Sequence, residues 1–240
     1  MNILITGGAS GLGRAITLKL CQDSKNKVFL TYNSSFEEAK KLESQFSNIE
    51  SFKVDFNSKE SIDLFIGKMP DLQLDILVNN AIAGYTNDYF HKFNTDHFLE
   101  SFMTNVVPVI QITQQFIKES RKKKFGKIIT ILTSFIINKP PLGLAEYVAN
   151  KAYLHSLSKS WAIENAPFGI TSNCVSPSIM ITNLTKNNID ERLLEGMINN
   201  NPNKRLLNES EVAEAVYYFA NVSGQINGAN LIINAASDLI

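Results

Sequence analysis

Cysteine is nearly absent: the 240-residue chain has two, Cys21 and Cys174, far apart and in no CxxC or Cys/His spacing. That argues against a disulfide framework and a zinc site, and predicts two reduced, structural thiols and no bound metal. A charge of one sign is missing as well. The 23 basic residues face 23 acidic ones, so no net field would draw the chain to nucleic acid or to an anionic membrane. Long apolar runs are missing too, since the longest, Ile128 to Ile137, is interrupted by threonines and a serine. With a first strand expected from Asn2, no room is left for a signal peptide, and a cytoplasmic location is expected. Glycine (12) and proline (7) are scattered, and no segment is low in complexity or periodic, which argues against linkers and solenoid repeats.

What is present is enough apolar material, 44% of residues, to bury a full core as one domain over residues 1–240. Short runs rich in β-branched residues alternate with longer segments of helical period, the pattern of βαβ units on a parallel sheet. Strands are expected near residues 2–6, 27–32, 49–54, 74–79, 126–133, 169–175 and 230–234. Helices are expected over Gly13–Gln22, Phe36–Phe46, Ser61–Met69, Thr95–Ser120, Ala145–Asn165 and Ser210–Asn221. The single basic run, Arg121 to Lys124, falls where the long helix should end; it reads as a solvated C-terminus complementing the helix dipole or, alternatively, as an anionic docking patch. In open sheets of this class, a mainly parallel, doubly wound α/β fold, ligands bind beyond the carboxyl ends of the strands. Thr6, Asn33, Asp55, Asn79, Ser134 and Ser176 stand at those ends.

Directly after the first strand comes Thr6-Gly7-Gly8-Ala9-Ser10-Gly11-Leu12-Gly13, a turn that opens a helix. Glycines there permit positive φ and a close backbone approach to a pyrophosphate, which a helix N-terminus favours. A GxxxGxG string arises by chance only about 0.03 times in a chain of this composition. This turn resembles the N-terminus of the short-chain dehydrogenase/reductase family, and the resemblance extends over essentially the whole chain. It implies a Rossmann-type domain with a seven-stranded sheet that binds a nicotinamide cofactor through Gly7, Ser10, Gly11, Leu12 and Gly13. A carboxylate after the second strand would mark NAD. The stretch here reads Thr31-Tyr32-Asn33-Ser34-Ser35, so NADP(H) is favoured, with Asn33, Ser34 and Ser10 as neutral donors, and NAD(H) is the alternative. By the same resemblance Asp55, next to Phe56, contacts the adenine, although an aspartate before Asn57-Ser58 also reads as a turn residue. Asn79-Asn80-Ala81 is similar to the family's NNAG segment, with Ile82 in place of its glycine.

Tyr147 and Lys151 form YxxxK on a predicted helix, which puts both side chains on one face. Composition alone allows roughly 0.5 such matches by chance, so the motif needs context. Ser134, thirteen residues upstream at the end of a buried strand, supplies it. The three resemble the family's catalytic triad, and Asn105 matches its fourth position, where a helix kink holds a proton-relay water. The implied chemistry is hydride transfer between a carbonyl and an alcohol. Tyr147 is then the acid/base, drawn down from a pKa of ~10 by Lys151, and Ser134 the donor to the substrate oxygen. Pro177, Met180 and Thr182 resemble the segment that holds the nicotinamide carboxamide, with Ser178 replacing a glycine.

The Asn-rich segment from Asn183 to Lys204 occupies the place of the family's substrate lid, and Ala235-Ala236 stand where relatives carry paired glycines. The overall pattern is most similar to the β-ketoacyl-carrier-protein reductase branch. That resemblance implies a small carbonyl substrate, carrier-bound in some relatives, and a homodimer or homotetramer built on Thr95–Ser120 and Ala145–Asn165. The rival reading is a nucleotide-bound regulator that kept the fold and lost turnover, motivated by the departures at Ile82, Ser178 and Ala235-Ala236.

Overall fold

The computed structural model describes residues 1–137, 139–180 and 191–237. Among these, seven strands form one all-parallel sheet in the order β3-β2-β1-β4-β5-β6-β7. They are β1 (Asn2–Ile5), β2 (Lys27–Tyr32), β3 (Ile49–Lys53), β4 (Ile76–Asn79), β5 (Gly126–Ile131), β6 (Ile170–Pro177) and β7 (Asn230–Ile233). The order reverses between β1 and β4, so the crevice for a ligand opens where Thr6 and Asn79 leave the sheet.

Helices cover both faces because the strands carry apolar side chains on both. Ile3 and Ile5 face α1 (Gly11–Cys21) and α2 (Phe36–Gln45), while Leu4 between them faces the opposite core. That second core is built on α3 (Lys59–Lys68), α5 (Val107–Lys123) and α6 (Ala145–Asn165), with Phe65, Ile112, Phe116 and Trp161 at its centre. Two further helices follow β6, α7 (Glu191–Asn200) and α8 (Glu209–Asn221). Lys127 of β5 is buried and donates to the carbonyls of Ala220 and Val222, at 2.8 and 2.7 Å. A cation at the end of α8 meets the negative pole of the helix, a term worth up to about 2 kcal/mol when partly buried.

The expected helix over Thr95–Ser120 is two helices, α4 (Thr95–Asn105) and α5, with Val106 between them. Pro108 is the reason: it has no N–H to give the carbonyl of Thr104, so the ladder breaks there. The basic run resolves as a helix end. Lys124 is the left-handed C-cap of α5, Arg121 donates to Asn165 at 2.8 Å, and Lys123 pairs with Asp75 at 2.7 Å. No residue of α4 is buried, and Leu99 and Met103 stand 61% and 58% exposed on it. Among the described residues no helix is long and apolar enough to cross a membrane.

Candidate active site

The glycine turn is held from two sides. Gly8 N–H donates to the Thr31 carbonyl at 2.9 Å, and the Asn80 amide donates to the carbonyls of Thr6 and Gly7, at 3.0 and 3.3 Å. Thr6 Oγ1 in turn accepts from the N–H groups of Asn80 and Ala81. Gly7 and Gly11 take φ of +65° and +51°, the region open to glycine without steric cost. Gly13 is needed for space, since a Cβ there would lie 2.0 Å from the Gly7 carbonyl oxygen. Ser10 caps α1 without a side-chain hydrogen bond, and no acid lies in the first turn of this helix, including Leu12. A glycine turn that opens a helix has the chemistry to hold a pyrophosphate, and the Glu209 carboxylate lies 3.7 Å from the Cβ position of Gly11 at its edge.

Ser10, Asn33 and Ser34 are exposed around this cradle and no carboxylate stands at the end of β2. Asp55 serves the turn first: its Oδ1 accepts from Asn57 N–H at 2.9 Å and from the Asn33 amide at 3.3 Å, which brings Asn33 and Asp55 together at one end of the crevice. Phe56 beside it is buried in the core. Asn79 is also buried, and its amide donates to Thr113 of α5 at 3.0 Å. Asn80 and Thr6, rather than the Asn79 side chain, do the work of joining β1 to β4.

Tyr147 and Lys151 lie on α6 below the carboxyl end of β5. Lys151 is buried, its Nζ donates to the Ile131 carbonyl at 2.8 Å, and it sits 6.0 Å from the centre of the Tyr147 ring. The Thr133 side chain acts on the Tyr147 phenol, favouring its ionised form. Thr133 is extended (φ −153°, ψ 148°) and Ser134 begins a short 3-10 turn after it. Ser134, thirteen residues before Tyr147 in the chain, is buried in that turn beside it.

Burial dominates the electrostatics here. It pushes the Tyr147 phenol up to about 12, with Thr133 opposing and Tyr85 adding to the rise, and it draws the Lys151 ammonium down to about 8. The sequence-based expectation of a depressed tyrosine is thus reversed for the protein by itself. The physical reason is that Lys151 is turned to a backbone carbonyl and both groups are withdrawn from water. A phenol with this pKa keeps its proton at neutrality, the form that can give a proton to a developing alkoxide.

Asn105, at the end of α4, is fixed by Ala83 N–H, which donates to its Oδ1 at 2.8 Å, and by the Gly84 carbonyl, which accepts from its Nδ2 at 3.1 Å. It lines one small cavity together with Tyr147, Lys151, Asn150 and Ser101. Tyr85, which no sequence signal singled out, places its ring 5.0 Å from that of Tyr147. Pro177 is the buried last residue of β6, and Met180 pairs with Leu207. Thr182 lies outside the described residues, as does 183–190 of the expected lid; within that lid segment α7 forms. The departures have ordinary backbones at Ile82 and Ser178, neither of which has positive φ, whereas Ala235 and Ala236 stand at +52° and +59°. The last turn thus keeps the left-handed form that glycine suits better, at a cost of roughly 1–2 kcal/mol per residue.

A profile of the short chain dehydrogenase family matches residues 1–193, and the chain belongs to that family. It is accordingly an NAD(P)-dependent oxidoreductase acting on the CH–OH/C=O couple. The chain is 34% identical over 235 residues to the acetoacetyl-CoA reductase of Rhizobium meliloti, covering 96% of this chain and 95% of that protein. It is 31% identical over 236 residues to the 3-oxoacyl-[acyl-carrier-protein] reductase FabG of Haemophilus influenzae, with the same two coverages, 96% and 95%. Among solved structures it is similar to ElxO with NADP bound, at a TM-score of 0.87 and 27% identity over 98% of both chains.

Proposed function

We propose that the protein is an NADPH-dependent reductase of a 3-oxoacyl thioester, carried on coenzyme A or on an acyl carrier protein. The observation that carries the chemistry is Tyr147, one helical turn from buried Lys151 and lining one cavity with it and Asn105. The thioester class is supported by likeness to two reductases of such substrates over 96% of this chain. Preference for the 2′-phosphorylated cofactor is supported by the exposed, neutral Ser10, Asn33 and Ser34 and by the missing acid after β2, with NAD(H) as the alternative. The cofactor would be held by Gly7, Gly11, Leu12 and Gly13 at its pyrophosphate, by Asp55 near the adenine, and by Asn79, Ala81, Pro177, Met180 and Thr182 towards the nicotinamide. Bound NADPH supplies the hydride. Tyr147 gives its proton to the substrate oxygen, Lys151 stabilises the phenolate left behind, and a neighbouring hydroxyl donates to the same oxygen.

That hydroxyl is assigned to Ser134, in the short turn beyond the carboxyl end of β5, with the adjacent Thr133 as the alternative. Ser134→Ala is expected to lower kcat for acetoacetyl-CoA by about 10²-fold, the scale of one lost oxyanion donor, and Thr133→Val by clearly less. The reverse order in steady-state kinetics would move the role to Thr133.

The assembly is proposed as a homodimer, or a tetramer built on it, through α4 and α6. Leu99 and Met103 on α4 and Tyr153 and Ile163 on α6 are exposed apolar side chains, and Ala149 and Ala152 leave α6 open to close approach. Light scattering at micromolar concentration should give at least twice 26.8 kDa; a monomer would remove this part of the proposal. Cys21 and Cys174 are free and buried, which fits the reducing cytoplasm expected above.

A further inference from the structure

Tyr85 stands in the loop between β4 and α4, and the residues on both sides of it are tied down. Before it, the Gly84 carbonyl accepts from Asn105 Nδ2 at 3.1 Å, and Ala83 N–H donates to Asn105 Oδ1 at 2.8 Å. After it, Thr86 Oγ1 donates to Glu146 Oε2 at 2.9 Å, and Asp88 N–H donates to the Gly143 carbonyl at 3.0 Å. Glu146 is 2% exposed, lies in the first turn of α6 directly before Tyr147, and has no part in the chemistry described so far. A buried carboxylate is costly without a hydrogen-bonded partner, so the Thr86 contact is a fixed tie between two loops that meet only in the folded chain. Held in this way, the Tyr85 ring lies 5.0 Å from the Tyr147 ring at a tilt of 43° and shares a small cavity with Tyr147 and Asn105. The residue is nevertheless 44% exposed. An aromatic side chain that is pinned from both flanks and still half open offers apolar surface to whatever enters the crevice.

We propose that Tyr85 is a specificity-determining residue, a wall beside the reacting carbonyl that admits a short 3-oxoacyl chain and turns away longer ones, and that Glu146 positions it through Thr86. The inference rests on the reading of Tyr147 as proton donor to a 3-oxoacyl thioester, and adds the chain length that the site takes. A carbonyl oxygen within hydrogen-bond reach of the Tyr147 hydroxyl brings the carbon chain on one side of it against the Tyr85 ring, because the two rings are neighbours. A methyl is the smallest such chain. Each added methylene pushes at a ring that the ties at Gly84 and Thr86 hold in place, so a longer chain is accommodated only by breaking them. The clasp on Glu146 thereby turns chain length into a difference in rate.

The readout is the ratio of kcat/KM for acetoacetyl-CoA to that for 3-oxooctanoyl-CoA. The parent should favour acetoacetyl-CoA by about tenfold or more, the scale set by methylenes that a pocket does not house. Tyr85→Ala should lower this ratio by about tenfold or more, with NADPH affinity within about twofold of the parent. Tyr85→Phe keeps the ring and should keep the preference. Glu146→Leu removes the acceptor for Thr86 and should shift the ratio in the same direction as Tyr85→Ala, while Glu146→Gln, which retains an oxygen acceptor, should restore it. A parent that prefers the longer chain, or a Tyr85→Ala variant slowed equally on both substrates, would overturn the proposal, since equal slowing is what a purely structural role gives. Ethyl acetoacetate and ethyl 3-oxooctanoate provide the same comparison without a thioester. Turnover of these esters alone would count against the thioester reading and still measure the wall. A crystal structure of the parent, which needs no turnover, should show the Tyr85 ring against Tyr147 and Thr86 bonded to Glu146; a ring turned out to solvent with that tie absent would overturn the inference.

Discussion

Tyr147→Phe should leave NADPH affinity nearly unchanged and lower the turnover of acetoacetyl-CoA by about 10²-fold or more, the usual factor for a positioned proton donor. The reason lies in what the substitution removes. Phenylalanine keeps the ring packed against Tyr85 and loses only the hydroxyl, so the cofactor cradle at the other end of the crevice is untouched. Fluorescence titration with NADPH and steady-state rates together check it. Near-parental turnover would reduce YxxxK to the chance match that composition permits. Lys151→Ala differs in kind, since Lys151 also braces the end of β5 through the Ile131 carbonyl; it should weaken both binding and rate.

The second large effect is expected at Gly13. A Cβ there would sit 2.0 Å from the Gly7 oxygen and 2.8 Å from the Gly7 carbonyl carbon, both backbone atoms that cannot rotate away. Gly13→Ala must push α1 off the turn, at a cost at or above the ~3 kcal/mol upper end for an overpacked core, or roughly 6–12 °C in Tm for a chain of this size. NADPH binding should be lost with it, because the N–H groups of the first turn move. Gly67→Ala is the control. Nothing lies within 4 Å of its Cβ position in α3, and alanine in a helix interior should stabilise by about 0.5–1 kcal/mol. Calorimetry that found the two substitutions alike would contradict the packing account of the turn.

Period and punctuation made the sheet legible. β2 matches its expected bounds, and β1, β3 and β7 differ by a single residue at one end, because continuous β-branched runs bounded by polar residues leave little choice of boundary. The long helix was harder. Apolar period continues through Asn105 and Val106, and only the missing N–H of Pro108 divides α4 from α5. At the site, glycine spacing located the cradle, and YxxxK in context located Tyr147 and Lys151. Two further features carry no one-dimensional signal. Tyr85 arrives from a loop with no regular period, and Asn150 shows its unpaired oxygen only when α4 is packed against α6.

The most direct test of the account is the loss of NADPH absorbance on adding acetoacetyl-CoA to the purified protein, with NADH and with Tyr147→Phe run alongside. The account predicts stoichiometric formation of the 3-hydroxyacyl thioester, faster with NADPH than with NADH, and about 10²-fold slower or more in the variant. No turnover of acetoacetyl-CoA or of an acetoacetyl carrier protein, in a protein that still binds NADPH, would contradict it and favour the regulator that kept the fold without the reaction.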